Sequence, residues 1–399
     1  MKNKIITDPS ECHNSHYDNI EYNLIVSKGD IFVKNDIEKY MAIDMLGTGT
    51  FGQVVRCISK DGEEVAIKVV KNQPKYFYYE MNEVKILKTL KQKKLCKYFV
   101  EIKDVFTFRE HLCIVEEMLG HNLYELLKIT GFKGLDLDIL HIISNQILEG
   151  INQLSLLGIT HCDLKPENIL IKNINTFEVK IIDFGSAFLA PQESNFYVQS
   201  RYYRAPEVIL GIPYGSTCDI WSFGCIIYEM FMGCPLFPGK DNTDQIGKIV
   251  TFFGRLPRYM LEHGKNSHLY FEKENNYEVI VPSIGLTIRQ FKNKLKSKVN
   301  STKMDVDMFA DFILMALNPN QLIRPTAANL LEHKYVKSPF EFVGDKLVEE
   351  RNQPNPVPRA GKQRRFSEFN VEPTKKLRNI DMSRKRSLFD ASNENKRNN

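Results

Sequence analysis

The sequence predicts an α+β protein in two unequal parts, a small antiparallel sheet with one main helix followed by a larger, mostly helical part. Short apolar runs alternate with turn residues between Tyr40 and Val70, which indicates strands. After Leu119 the apolar residues recur at helical spacing instead. The chain of 399 residues is long enough to bury a full core without disulfides or metals.

The small sheet is predicted to have five strands. Three lie within 40–70, separated by a glycine-rich loop and a turn, and two lie within 99–117. The main helix is predicted from Phe77 to Lys94 on an imperfect apolar face. Residues 1–39 are expected to form an extension that is partly ordered against this part, with the apolar patch 22–26 as a candidate extra strand.

The first part is expected at 40–119 and the helical part at 120–340. Apolar periodicity predicts five helices in the helical part: Leu123–Thr130, Ile139–Leu157, Thr217–Met232, Thr243–Phe253 and Met308–Ala316. Residues 262–306 are polar and rich in lysine without a clear period, so we interpret them as an insertion. In the tail, 341–399, Pro, Asn, Arg and Lys come to dominate, which predicts disorder.

The charge distribution separates the tail from the rest of the chain. Residues 351–399 carry 13 Lys and Arg against 5 Asp and Glu, a charge of +8, so the net charge of +5 leaves −3 for 1–350. A slightly acidic folded part argues against a direct nucleic-acid partner. No run of about 18 apolar residues is present, so no membrane partner is expected. The eight cysteines include no C-x-x-C pair, which fits a reducing compartment, cytoplasm or nucleus.

Residues 46–54 have the pattern G-x-G-x-x-G-x-V between two predicted strands. Glycines let backbone N–H groups approach phosphate oxygens closely, although plain hairpins are also glycine-rich. A dinucleotide-binding loop would open a helix, whereas this loop leads into a strand. Lys68 in the third strand is either a solvent-facing lysine or a cation for phosphates. In the second interpretation a helix glutamate holds it, with Glu83 as the first candidate and Glu80 as the second.

Three further motifs follow in the helical part. The segment 161–168, HCDLKPEN, supplies a carboxylate at Asp163, a cation at Lys165 and an amide at Asn168, which a simple polar turn would not require together. An apolar strand then ends at Asp183, a suitable ligand for a hard cation. The segment 205–207, APE, comes last, and its Glu207 is expected to pair with the distant Arg324.

In this order and spacing, the motifs resemble those of eukaryotic protein kinases over about residues 40–340. The resemblance implies the two-lobed kinase fold, with ATP and Mg²⁺ in the cleft and proteins as substrates. It implies that Asp163 accepts the proton of the substrate hydroxyl, that Lys165, Lys68 and Glu83 assist transfer, and that Asn168 and Asp183 hold the metal. The implied nucleotide contacts are Leu46, Gly47, Thr48, Gly49, Thr50, Phe51, Gly52, Val54, Ala66, Lys68, Glu117, Leu119 and Leu170.

The loop 163–168, with a lysine at Lys165, resembles the corresponding loop of serine/threonine kinases. The segment 199–207, QSRYYRAPE, resembles that of the DYRK family in the CMGC group. Within that family the Yak type is the first choice and the homeodomain-interacting type the second. This resemblance implies dual specificity, a growth or stress signalling role, a monomeric enzyme, and autophosphorylation at Tyr197, which otherwise simply packs. Cys162 stands where many kinases have an arginine that holds a phosphothreonine, and cysteine cannot grip phosphate bidentately.

Two positions depart from the family pattern. The activation loop has Asn195 where the family has a first tyrosine. The gatekeeper position, usually bulky and apolar, is Glu116, and a carboxylate there is costly to bury unless it is paired. We expect Glu116 to turn to solvent or to pair with Lys68 or another cation; the third interpretation is an altered rear pocket.

The tail carries two basic clusters at 375–378 and 384–386, which are either part of a solvated charged tail or a bipartite nuclear import signal. The expected location is therefore cytoplasm and nucleus. Two rival functions remain at this point: a kinase-fold scaffold without chemistry, and a nucleic-acid-binding protein that uses the tail. The intact Lys68, Asp163 and Asp183 argue against the scaffold.

Overall fold

The computed structural model describes residues 4–189, 197–274, 276–298 and 306–338. The strands are β1 (Glu11–His13), β2 (Asp18–Asn19), β3 (Ile31–Lys34), β4 (Ile37–Thr48), β5 (Gly52–Ser59), β6 (Glu64–Val70), β7 (Ile102–Phe108), β8 (His111–Glu117), β9 (Ile159–Thr160), β10 (Ile169–Asn173), β11 (Glu178–Ile181), β12 (Phe188–Leu189), β13 (Phe271–Glu272) and β14 (Glu278–Val279). The helices are α1 (Pro74–Gln92), α2 (Leu123–Ile129), α3 (Leu137–Leu156), α4 (Pro206–Leu210), α5 (Thr217–Met232), α6 (Asn242–Phe253), α7 (Arg258–His263), α8 (Ile288–Lys298), α9 (Val306–Ala316), α10 (Ala327–Leu331) and α11 (Lys334–Lys337).

The small lobe is an antiparallel sheet of six strands in the order β3-β4-β5-β6-β8-β7. The N-terminal extension covers its outer face, where Leu24, Val26 and Phe32 join a buried apolar cluster with the sheet residues. The strand expected at 22–26 is wrong, because that segment forms only an isolated bridge between Leu24 and Asp18. The extra strand is β3 instead, which pairs with β4 at the sheet edge.

Helix α1 crosses the other face of the sheet. It begins three residues earlier than predicted, at Pro74, and proline suits the first turn of a helix because no N–H is needed there. Val84, Leu87 and Leu90 bury its apolar side, and Glu80 and Glu83 are buried with them. Two buried glutamates on a core-facing helix require partners inside the protein.

The large lobe is built around α5, every residue of which is buried except those at its two ends. Aromatic rings surround it: Trp221 stacks on Phe237, and Phe223 meets Phe312 of α9 edge to face. The region expected as a featureless insertion contains α8, where Phe291 and Leu295 are buried one turn apart. This helix was not predicted because only Ile288, Phe291 and Leu295 are apolar among its polar and charged residues.

No helix in the described part of the chain is long and apolar enough to cross a membrane.

Candidate active site

The glycine-rich loop joins β4 to β5 above the cleft between the lobes. Its base is a regular ladder in which Gly47 lies opposite Val54 and Thr48 opposite Gln53. Gly52 is required by packing, since a Cβ there would collide with the carbonyl oxygen of Val69. A Cβ at Gly47 would meet nothing within 4 Å, so that backbone faces open space that a phosphate group can approach.

The remaining loop residues differ in exposure. Leu46, Thr48, Gly49 and Thr50 are exposed, while the Phe51 ring is partly buried, with its centroid 5.7 Å from Lys68 Nζ. The loop is anchored behind this ring, because Lys71 donates its N–H to the Phe51 carbonyl oxygen (2.9 Å). The tip therefore lies directly over the cation expected to bind phosphates.

The strand period places the cleft residues on one face of the sheet. Along β6, Val65, Ile67 and Val69 are buried under the extension, while Ala66 and Lys68 are only partly buried on the opposite face. In the ladders, Val54 lies opposite Lys68 and Ala66 opposite Glu116. Below them Leu119 is buried, and Leu170 of β10 is partly buried against the core.

Lys68 is held by the glutamates of α1. Its Nζ lies 2.6 Å from Glu83 Oε2, 2.7 Å from Glu80 Oε2 and 3.6 Å from Asp183 Oδ1. Burial acts to lower the pKa of Lys68, but these carboxylates outweigh it and the pKa lies well above its ordinary value. Both glutamates that the sequence offered as alternatives are thus partners, and Lys68 stays charged.

Glu83 also holds the segment that contains Asp183, the expected metal ligand. Its Oε1 accepts the N–H of Phe184, the residue after Asp183, at 2.8 Å. Asp183 adopts a left-handed backbone conformation (φ 63°), which is uncommon for a residue other than glycine and is often found at functional sites. One glutamate therefore links the lysine expected to bind phosphates to the segment that follows the expected metal ligand.

The segment 161–168 is held from below by α5. Asp219 accepts the backbone N–H groups of His161 (2.8 Å) and Cys162 (3.0 Å). His161 Nδ1 accepts the N–H of Asp163, so its Nε2 carries the proton and donates to the Ile182 carbonyl oxygen (3.0 Å). Cys162 is fully buried and offers no charge to the activation segment.

Asp163 and Lys165 form the reactive pair expected from the sequence. Lys165 Nζ lies 2.5 Å from Asp163 Oδ2, and Asp163 Oδ1 accepts both the N–H (2.9 Å) and the hydroxyl (2.8 Å) of Ser200. Burial acts to lower the pKa of Lys165, but Asp163 raises it above its ordinary value. Asn168 donates its Nδ2 to the Asp163 carbonyl oxygen (2.9 Å), which leaves its Oδ1 available for a cation.

The predicted pair of Glu207 and Arg324 is confirmed. Two parallel hydrogen bonds, Nη1 to Oε1 (2.6 Å) and Nη2 to Oε2 (2.9 Å), join the two fully buried side chains. Arg324 Nη1 also donates to the Thr217 carbonyl oxygen at 2.9 Å. This bidentate contact ties the segment after the activation loop to α5.

Tyr197 lies at the start of the described activation segment and is 60% exposed. Its hydroxyl donates to Asn242 Oδ1 (2.7 Å), and the Arg204 guanidinium stacks 3.9 Å from its ring centroid and contacts its hydroxyl. Burial lowers the pKa of Arg204 despite the tyrosine beside it. Arg201 donates to the Lys240 carbonyl oxygen instead. Asn195 lies outside the described residues.

Glu116 corrects the expectation for the gatekeeper. It is partly buried in the cleft wall, and the ion pairs of Lys68 among the described residues are with Glu80, Glu83 and Asp183 only. Burial and, after it, the charge of Glu83 raise the pKa of Glu116 to about 8, and Lys68 only partly offsets the rise. The neutral form of the carboxyl is thereby favoured. The ion-paired interpretation therefore fails among the described residues, while the solvent-facing interpretation and the altered rear pocket stay predictions.

Glu117 has a role that its motif position did not suggest. Its carboxylate receives Lys172 Nζ (2.7 Å), the buried Lys180 and the backbone N–H of Glu101 (2.9 Å). Burial acts to raise the pKa of Glu117, but the two lysines hold it below its ordinary value. Its side chain thus binds the large lobe, and only its backbone remains for a nucleotide.

The chain matches the family model "Protein kinase domain" over residues 40–336. It is 58% identical over 399 residues to a "Probable dual specificity protein kinase YAK1 homolog" of Encephalitozoon cuniculi, with 99% of this chain and 98% of the relative covered. The "Dual specificity protein kinase YAK1 homolog" of Arabidopsis thaliana is 44% identical over 67% of this chain and 29% of its own length. The "Dual specificity protein kinase YAK1" of Saccharomyces cerevisiae is 42% identical over 68% of this chain and 34% of its own length.

Proposed function

This chain belongs to the protein kinase family, as a dual-specificity kinase of the Yak type, and we propose how its residues carry out the transfer. The observation that carries the proposal is the continuous set of contacts from Lys68 through Glu83 to the N–H of Phe184, beside the Asp163–Lys165 pair. The two halves of a phosphoryl-transfer site are thereby aligned across the cleft.

We propose that ATP binds under the glycine-rich loop. The open space at Gly47 admits a phosphate group, and Lys68 supplies its charge to the phosphates. The backbone of Glu117 faces the adenine, which Val54, Ala66 and Leu170 enclose. Because little covalent work falls to the protein in this reaction, positioning and charge neutralisation account for most of the catalysis.

Asp163 orients the hydroxyl of a serine or threonine of the substrate protein and accepts its proton. Asp163 Oδ1 accepts the hydroxyl of the protein's own Ser200, and this contact supports the proposed role. Lys165, whose Nζ lies 2.5 Å from Asp163 Oδ2, neutralises charge on the phosphoryl group during its transfer.

Two oxygen ligands suit Mg²⁺, which keeps several waters and is bound through one or two carboxylates plus phosphates. Asn168 and Asp183 would hold it, and it would neutralise the phosphate charge. The free Oδ1 of Asn168 and the partly exposed Asp183 carboxylate fit this role.

We further propose autophosphorylation at Tyr197, a monomeric enzyme without a nucleic-acid partner, and residence in cytoplasm and nucleus through the basic tail. Tyr197 is exposed enough to be modified and already contacts one arginine, Arg204, that would pair with its phosphate. The tail, 341–399, lies outside the described residues.

The test compares wild type with Asp163→Asn in a peptide phosphorylation assay with MgATP. We expect kcat to fall at least about 100-fold in the variant, because a positioned general base contributes roughly 10²–10⁴-fold. Lys85→Ala, an exposed change on α1, is the control and should retain activity. Equal turnover by wild type and Asp163→Asn would refute the assignment, and an inactive wild type would favour the scaffold.

A further inference from the structure

Lys68 has two glutamate partners on the same helix. Glu80 and Glu83 are three residues apart on α1, which places both on one face. Their Oε2 atoms lie 2.7 and 2.6 Å from the same Nζ, so the two oxygens are no farther apart than the sum of these distances, 5.3 Å. Only one glutamate is needed to hold the lysine, and the second calls for an explanation.

Glu80 is fully buried, and neither of its carboxyl oxygens accepts a well-formed hydrogen bond from a described residue. Oε2 has the ammonium of Lys68 beside it, whereas Oε1 forms no ion pair with a residue that the structure describes. Gly185 lies next to it, since a Cβ built there would be 3.4 Å from Glu80 Oε1. Burying an ionised carboxylate that lacks hydrogen-bond donors costs free energy, which favours the neutral carboxylic acid.

The protonation of the two glutamates differs. Burial and, after it, the charge of Glu83 raise the pKa of Glu80 to about 9, although Lys68 acts to lower it. Two carboxyl groups this close in a dry pocket do not both ionise readily, so one retains its proton. A neutral Glu80 is a hydrogen-bond donor, and the carboxylate of Glu83 is the acceptor beside it.

We propose that Glu80 is a positioning residue for the catalytic lysine: its carboxyl lies against the ammonium of Lys68, donates to Glu83, and so fixes the Lys68–Glu83 pair for phosphoryl transfer. The consequence reaches both halves of the site. Glu83 Oε1 accepts the Phe184 N–H, and Lys68 Nζ lies 3.6 Å from Asp183. A Glu83 held by Glu80 as well as by these groups has less freedom to leave the lysine.

The proposal rests on the proposed function and is tested with a matched pair of variants. Glu80→Met keeps the length of the side chain without a hydrogen-bonding group, and Glu80→Gln keeps one acceptor and one donor without a charge. Lys85→Ala on the exposed side of α1 is the control. Thermal melting checks that each variant is folded.

Steady-state kinetics are measured with varied ATP and with varied peptide. We expect kcat/KM for ATP to fall roughly tenfold in Glu80→Met, because a buried hydrogen bond to a charged group is lost. Glu80→Gln should recover kcat/KM to within about threefold of wild type, since its amide makes both bonds. The KM for peptide should stay unchanged in both, which a general loss of structure would not produce.

Binding supplies a readout without turnover. MgATP is titrated into Asp163→Asn proteins that carry either Glu80 or Glu80→Met, and we expect several-fold weaker binding in the second. This experiment remains informative even if the wild type transfers no phosphate, so failure of the proposed function is distinguished from failure of this inference. Equal ATP affinity, wild-type kinetics in Glu80→Met, or a Glu80→Gln variant as impaired as Glu80→Met would each overturn the assignment.

Discussion

The carboxylate of Glu117 joins the segment between the lobes to two strands of the large lobe, and Lys180→Met removes its buried partner. The Lys180 side chain is 7% exposed, while that of Lys172, the second lysine on the same carboxylate, is 40% exposed. Lys172→Met is therefore a matched control, with the same substitution against the same acceptor. The comparison isolates the effect of burial.

The expected magnitudes follow from the exposure of each lysine. Loss of a hydrogen bond between charged groups costs roughly 1.5–3 kcal/mol, and an exposed ion pair contributes roughly 0.2–1 kcal/mol. Because Glu117 keeps Lys172 and the Glu101 N–H, we expect Lys180→Met to lower the free energy of unfolding by about 2 kcal/mol. The Lys172→Met change should lower the free energy of unfolding by less than about 1 kcal/mol. In a domain of this size these values correspond to decreases in Tm of about 3 °C and less than about 2 °C, respectively.

Urea denaturation and thermal melting at pH 7 measure both variants. The pKa of Glu117 lies below its ordinary 4.5, and a depressed carboxyl pKa gives stability that is present above the unfolded value and lost as pH falls through the folded one. The difference between wild type and Lys180→Met should therefore shrink below pH 4.5. An equal decrease in the free energy of unfolding for Lys180→Met and Lys172→Met would contradict the role given to burial.

Three further predictions follow from the same geometry. Glu116→Phe should gain roughly tenfold in affinity for ATP-competitive inhibitors that need an apolar rear pocket, measured by inhibition constants; unchanged potency would contradict the altered pocket. Mass spectrometry of expressed protein should find phosphate on Tyr197, and Tyr197→Phe should be less active. An unmodified Tyr197 in a fully active preparation would exclude that role. Deleting 351–399 should lower the nuclear fraction of a tagged protein, and an unchanged nuclear signal would end the import hypothesis.

The sequence predicted the ion pair between Glu207 and Arg324. A buried Glu207 needs a cation, and the two side chains meet as a bidentate pair although Arg324 is far away in the chain. The fold class and the main helices followed from periodicity in the same way. The ends of those helices differ from the prediction by up to three residues, because capping and packing set them. Helix α8 was missed and the strand expected at 22–26 is absent.

Side-chain direction could not be predicted from the motifs. Glu80 and Glu83 share a helix face, so the sequence left a choice between them, whereas the rotation of α1 brings both to Lys68. Neighbouring residues Glu116 and Glu117 point to opposite sides of β8, and the depth of the pocket decides the protonation of the first. These outcomes depend on distances between elements, which a linear pattern does not contain.

The central claim is tested most directly by identifying the amino acids that the purified wild-type enzyme phosphorylates. A generic protein substrate is incubated with labelled ATP and Mg²⁺, and the phosphoamino acids of substrate and enzyme are analysed separately. The account predicts phosphoserine and phosphothreonine on the substrate, and phosphotyrosine on the enzyme itself. Absence of label on the substrate, in a preparation that binds ATP, would contradict it.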